Sequence, residues 1–437
     1  MIPQDSFTVV AKIRTDPDRI GDLRKLLAAM NHAGCAGFAD PANPLVPFGS
    51  FETIHFARFV VLADNSLADR SYYKLPPDEP TYLCLMVDCD GGADELLARM
   101  AREIAGLRTI FEHCQGCDEA TDMLGWLRAH CIQPMASYVN WVGRSVVQIQ
   151  EEARLHQVLR DALAQTNERE PQELLARLRQ YGASAGPLTR PTPTPLAWRI
   201  RNLTHLLLPL FLLLLALLCL VFFPVITTAL LVAAAVTFLI ALRRQEQADP
   251  IVPQPYDSAK VAMLRLGEDH DVSNQYTAMG SIKPGRFRLW TEVAILHGVE
   301  WLARHIFTRG SIGRIGTIHF AHWLFLDDRR RGFFCSNYDG GHEAYMDDFI
   351  NKAGFGLNLS FSSFIAYPTT AWLVAKGAWL EQDFKRFQRH HQIPTDVWYK
   401  AYPGLTARDL ARNSRIRNGF EKATMSDGEI RRWLAEI

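Results

Sequence analysis

The chain has 437 residues, enough for two or three domains, of which 22% are charged and 48% hydrophobic. Lys plus Arg (47) equal Asp plus Glu (47), a balance that excludes the basic excess of a nucleic-acid-binding surface. Eight cysteines at irregular spacing argue for a reducing compartment and against a disulfide framework.

The N-terminus, Met1-Ile-Pro-Gln-Asp5, has no basic or apolar region of a secretory signal, so the soluble parts are expected in the cytoplasm. Phe7, Val9, Ala11 and Ile13 alternate as in a half-buried strand. Asp16-Pro-Asp18 opens a helix with Ile20, Leu23, Leu27 and Met30 on one face. Strands are predicted at 53–62 and 82–87. A second helix carries Leu96, Leu97, Met100, Ile104 and Leu107, and a last strand is predicted near 108–113. This β-α-β-β-α-β order is that of a ferredoxin-like domain, assigned to 1–118. Residues 119–183 read as a helical extension and 184–202 as a Pro-rich linker.

Residues 203–242 contain no Asp, Glu, Lys or Arg. As one helix they would span roughly 60 Å at about 1.5 Å per residue, twice a bilayer core of about 30 Å. Pro224 favours a break near the middle, giving helices over 203–223 and 225–242. Arg190, Arg199 and Arg201 precede the stretch, Arg243 and Arg244 follow it, and Trp198 is placed as an interface anchor. The positive-inside rule puts both flanks in the cytoplasm, so the expectation is a transmembrane hairpin, with a shallower dip into the bilayer as the alternative. The expected partner is the lipid bilayer.

After a linker (243–275) the pattern repeats. Thr53-Ile-His-Phe-Ala-Arg-Phe-Val-Val-Leu-Ala-Asp64 matches Thr317-Ile-His-Phe-Ala-His-Trp-Leu-Phe-Leu-Asp-Asp328, and Asp90-Gly-Gly92 matches Asp339-Gly-Gly341. A second ferredoxin-like domain is assigned to 276–377 and a helical region to 378–437. Within it, 287–307 has two readings: an interfacial helix on the headgroups, or an ordinary first helix packed on its sheet. The fold class is therefore α+β: two ferredoxin-like repeats pairing as a dimeric α+β barrel-like unit, plus a transmembrane helical hairpin.

Candidate site residues follow from the repeat. On a regular strand His55 shares a face with Ala57, Phe59 and Val61, and Arg58 shares the other with Ile54, Phe56 and Val60. Both faces are apolar, so two such sheets are expected face to face. Arg58 and His322 occupy the same repeat position and need polar partners if buried. They read either as pocket groups or as satisfied core residues, and so do His55 and His319. Asp90 and Asp339 read as helix caps or as groups at the barrel mouth, with Asn337 beside Asp339. Cys114-Gln-Gly-Cys117 is a lone C-x-x-C and marks no metal site by itself.

Three elements carry a resemblance: the run 274–286, the two Thr-Ile-His-Phe-Ala segments, and Ser336-Asn-Tyr-Asp-Gly340 with Tyr345 and Asp348-Phe349-Ile350. On these the chain resembles an uncharacterised family of bacterial membrane-anchored proteins. At fold level it is similar to the dimeric α+β barrels, which include dye-decolorising peroxidases. Their Gly-x-x-Asp-Gly motif is matched in part by Val87-Asp-Cys-Asp90-Gly91 and by Ser336-Asn-Tyr-Asp339-Gly340, both without the first Gly. The resemblance implies haem as a cofactor, with His319, His322 and Asn337 as candidate contacts. Two functions are expected from these residues. One is a membrane-anchored module binding an apolar small molecule or a partner. The alternative is a redox enzyme with Arg58, His322, Asp339, His319 and His55 as candidate catalytic residues.

Overall fold

A computed structural model describes residues 3–437 apart from Pro17, Asp78, Pro191 and Pro255. The first half runs β1 (Gln4–Lys12), α1 (Arg19–Ala28), β2 (Gly37–Phe38), β3 (Ile54–Leu62), β4 (Tyr82–Asp90) and α2 (Ala93–Glu103). β3, β4 and β1 pair antiparallel in that order. Every residue of β3 is buried, because both faces of its sheet are covered. Ala57, Phe59 and Val61 join Leu23 and Leu27 of α1 and Leu97 and Met100 of α2 in one core. Val60 and Leu62 join Leu324, Leu326 and Phe333 of the second half in another.

The segment predicted as a strand near 108–113 is instead helical, in α3 (Gly106–Phe111). Leu107, Ile110 and Phe111 recur at i, i+3 and i+4 and are all buried, so the helical period prevails over a short alternation. After α4 (Met123–Ala129), the edge beside β1 is taken by β5 (Cys131–Ile132), and β6 (Ala136–Val139) leaves for the other sheet. α5 (Val146–Gln165) and α6 (Pro171–Gly182) follow.

α7 (Leu196–Phe222) and α8 (Pro224–Ala248) are both long and apolar enough to cross a membrane. They meet at Phe223, whose backbone is non-helical. Pro224 is the first residue of α8, a position where its missing N–H removes no helix bond. After α9 (Ser258–Arg265), the second half runs β7 (Ser273–Ser281), α10 (Arg286–His305), β8 (Ile318–Leu326), β9 (Arg331–Asp339) and α11 (His342–Phe361). A small hairpin, β10 (Thr370–Ala371) and β11 (Ala375–Lys376), precedes α12 (Glu381–His391), β12 (Val397–Lys400), α13 (Ala407–Glu421) and α14 (Asp427–Leu434). β7 begins three residues before the expected boundary at 276.

Each sheet receives a strand from the other half. The first has the order β2-β12-β3-β4-β1-β5 and the second β6-β8-β9-β7. β12 pairs with β3, and β6 with β8. The bonds match one for one. Asn140 N–H donates to His319 O, and Ala401 N–H to His55 O. Met135 N–H donates to Trp323 O, and Asp396 N–H to Phe59 O. The stretches 119–183 and 378–437, expected to be helical, thus each contain strands. These are two to four residues long, too short to show an alternation.

Candidate functional site

A register shift between Ile54 and Phe56 changes where His55 points. One extra residue in a strand turns the side chains beyond it over. His55 thereby leaves the face expected to carry it with Ala57, Phe59 and Val61 and packs 5.4 Å from Phe320, across the space between the sheets. The same shift between Ile318 and Phe320 places His319 5.4 Å from Phe56. His55 Nε2 is 2.9 Å from Asp90 Oδ1 and its Nδ1 is 3.2 Å from Tyr402 Oη. His319 Nε2 is 2.6 Å from Asp339 Oδ1.

The two aspartates do cap helices, but distant ones. Asp90 Oδ2 accepts from Val146 N–H at the start of α5, and Asp339 Oδ2 from Ala407 N–H at the start of α13. Gly91 and Gly340 follow them with φ of 79° and 82°, the left-handed turn that frees the carboxylate to face away from its own helix. Burial pushes the Asp339 carboxyl up, but His319, Ser273 and the Ala407 N–H outweigh it and hold it below the usual carboxylate range.

Arg58 and His322 face each other's sheet and make a second pseudo-symmetric set. Arg58 donates to Tyr276 O (3.0 Å), Thr277 Oγ1 (3.1 Å), Ser336 O (3.1 Å) and Asn337 Oδ1 (2.5 Å). Trp398 Nε1–H also donates to Asn337 Oδ1, at 2.9 Å. His322 Nε2 lies 2.7 Å from Asp88 Oδ1, and its Nδ1 lies 3.0 Å from Ser137 Oγ. Asp88 and Asn337 hold equivalent places, as do Ser137 and Trp398, and Asn337 Nδ2 donates to Asp88 Oδ2 at 3.3 Å. The structure brings Arg58, His322 and Asn337 together. It sets the His55 and His319 pairs apart, on Asp90 and Asp339. Repetition of Asp88 and Asn337 two residues before Asp-Gly-Gly was the signal for this pairing; Ser137, Trp398 and Tyr402 had none.

Ser137, His322 and Asp88 line a cleft of about 1250 Å³. Phe7, Val139 and Phe320 supply apolar wall, and Glu300, Ala303 and Arg304 of α10 close one side. Its mouth reaches Trp198 and Arg201 at the start of α7. A smaller cleft, about 610 Å³, occupies the equivalent place in the other half, between Arg24 and Ala28 of α1 and the 392–396 segment. The Ser–His–Asp connectivity of the larger cleft is that of an activated nucleophile. However, Ser137 N–H donates to Glu300 Oε2 at 2.8 Å. A carboxylate at that place opposes an oxyanion forming beside Ser137, so the arrangement suits hydrogen bonding to a ligand better than acyl transfer.

A buried charged cluster lies under α8. Asp249 Oδ2 accepts from Lys283 Nζ (2.8 Å) and Arg288 Nη2 (2.5 Å). Glu292, one helical turn beyond Arg288, is fully buried, with the Ser363 hydroxyl as its hydrogen-bonding neighbour. Burial pushes its carboxyl up to about 8, against the opposing pull of Ser363 and Arg288.

Cys114 and Cys117 belong to the hydrophobic core of the first half, and burial pushes the Cys114 thiol up to about 12. Among the described residues no group of three His, Cys, Asp or Glu side chains is disposed to hold a metal. The residues proposed for haem do not fit one. Both ring nitrogens of His322 face protein partners, His319 Nε2 is held by Asp339, and Asn337 Oδ1 accepts from Arg58 and Trp398. The space between the sheets is filled by Phe56, with Phe320 at 5.7 Å and Trp398 at 6.0 Å. Comparison with known proteins finds no family model, no curated protein and no solved structure that matches the chain.

Proposed function

We propose that the protein is a membrane-anchored binding protein that takes a small amphiphile from the bilayer into the cleft beside His322. The path of the cleft carries this reading. It runs from the Ser137–His322–Asp88 chain on its floor to Trp198 and Arg201, where the apolar hairpin begins. A polar head would bond Ser137 and His322, and an apolar body would lie on Phe7, Val139 and Phe320. On this reading each half is a ferredoxin-like unit, and the two pair as an α+β barrel closed by the exchanged strands β6 and β12. The matched bonds of the two tails support it. The barrel interior is filled by side chains, so binding falls to the cleft at its side. The basic residues at both ends of the hairpin support a cytoplasmic placement of both halves, and the resemblance to bacterial membrane-anchored proteins favours a bacterial inner membrane.

The test is mass spectrometry of small molecules retained by protein extracted in native nanodiscs, for wild type and for Val139→Trp. Val139 is half-buried on the cleft wall, at the margin of the cluster around Phe56 and Phe320, so a tryptophan there fills the cleft from its wall. Wild type should retain a discrete amphiphile that the variant lacks at unchanged thermal stability. Equal retention by both proteins, or none by wild type, would sink the proposal.

A further inference from the structure

α10 is inverted relative to an ordinary surface helix. Its charged residues Arg288 and Glu292 are 2% and 0% exposed, whereas Trp290 and Ile306 are 58% and 57% exposed. The exposed stripe continues through Ala294, His297, Gly298 and Leu302 at helical spacing, and from Trp290 to Ile306 it contains no carboxylate, ammonium or guanidinium. α1 holds the equivalent place in the first half, and its exposed face carries Asp22, Arg24 and Lys25. α10 packs chiefly on β6 and α1 on β3 and α3, and of the two it is α10 that lies beside the apolar hairpin.

Both ends of α10 touch that hairpin. Phe287 packs on Phe238 of α8, with ring centroids 5.4 Å apart. At the other end, His305 Nε2 is 2.9 Å from His205 Nδ1 of α7, and Arg304 Nε–H donates to Asn202 Oδ1 at 2.8 Å. His205 and Phe238 lie just inside opposite ends of the uncharged stretch, so in a hairpin both contacts fall at one depth, the edge of the apolar zone. A helix tied to both legs at that depth runs across the base of the hairpin. The exposed Trp372, in the β10–β11 turn, marks the same level: Arg243, the first charge after the stretch, sits 5.6 Å from its ring.

We infer that α10 lies in the headgroup plane of the bilayer, with its Trp290–Ile306 stripe in the acyl boundary, and holds the soluble body flat on the membrane. This rests on the membrane-anchored reading above. Helices with one apolar face sink about 5–10 Å into that boundary, and tryptophan, here with the Arg329 guanidinium 5.7 Å from the Trp290 ring, favours its headgroup edge. The other side of α10 supplies Glu300, Ala303 and Arg304 to the cleft, so the cleft mouth opens at headgroup height.

Photo-crosslinking to lipid tests this in the full chain. p-Benzoylphenylalanine is placed singly at Ala294 and Leu302 on the stripe, at Arg24 on α1, and at Leu214 in the middle of α7. Each protein is illuminated in nanodiscs of phosphatidylcholine and phosphatidylglycerol, and lipid adducts are counted by mass spectrometry. All four positions are exposed, so the fold tolerates the probe. Adduct at 294 and 302 should exceed that at 24 by about tenfold or more, and 214 should react strongly. Adduct at 214 with only the Arg24 level at 294 and 302 would overturn the inference and leave the membrane anchor standing. Absence of adduct at 214 as well would overturn both.

Discussion

Glu292→Gln offers a direct measure of what the buried carboxyl under α8 costs the fold. Its folded value of about 8 lies above its ordinary 4.5, so the neutral form is the one the fold favours. The linked stability is fully present below pH 4.5 and is lost as pH rises through about 8. At about 1.4 kcal/mol per tenfold, the loss reaches roughly 3 kcal/mol at pH 7 and roughly 5 kcal/mol above pH 8. Water entry and relaxation around Arg288 and Ser363 make these upper values. Glutamine keeps the shape of the neutral acid and cannot ionise. The variant should therefore match wild type near pH 5 and be the more stable protein near pH 9, by several degrees in thermal unfolding followed by fluorescence in detergent. A gap between the two proteins that does not change from pH 5 to pH 9 would refute the assignment of Glu292 as a buried acid held in its neutral form.

His322→Leu leaves Asp88 buried with Asn337 as its chief remaining partner and should cost about 3–5 kcal/mol in stability. Adding Asp88→Asn should recover much of that loss, and a double variant no better than the single one would show that the pair is not coupled. Asp90→Ala and Asp339→Ala each remove a bond to a helix N-terminus and a histidine partner, so each should cost about 2–3 kcal/mol in chemical denaturation. A large cost for one and none for the other would break the equivalence of the two halves. Ser137 should stay unlabelled by a fluorophosphonate at neutral pH, and labelling lost in Ser137→Ala would restore the acyl-transfer reading. Protein purified from haem-replete cells should show no Soret band in its absorbance spectrum.

Much of the architecture was readable because the chain states it twice. Thr53-Ile-His-Phe-Ala and Thr317-Ile-His-Phe-Ala mark the equivalent strands β3 and β8, and the doubly apolar pattern around Arg58 anticipated sheets that face each other. Pro224 placed the hairpin turn. Three features were hidden. The bulge at His55 depends on pairing with β4, not on the side chains of β3, so the alternation rule assigned the wrong face. The exchanged strands β6 and β12 take their structure from partners at residues 320–323 and 56–59, and four residues carry no period of their own. The site residues Ser137, Trp398 and Tyr402 all lie in or beside those tails, so they were lost with them. For α10 the sequence left two readings level. The structure gives it the sheet-packing role through buried Arg288, Glu292, Val293 and Leu296, with its apolar stripe left outward.

The strand exchange sets an order of events during synthesis. β3 is a strand buried along its whole length, and its outer edge stays open until β12 arrives, about 340 residues later. At ~5–20 residues per second, that is roughly 15–70 s, during which the two long apolar helices α7 and α8 are also made. An open edge for that long invites pairing with another nascent chain. The half-made protein is thus a hazard to its own copies, and covering the β3 edge during synthesis should raise its yield.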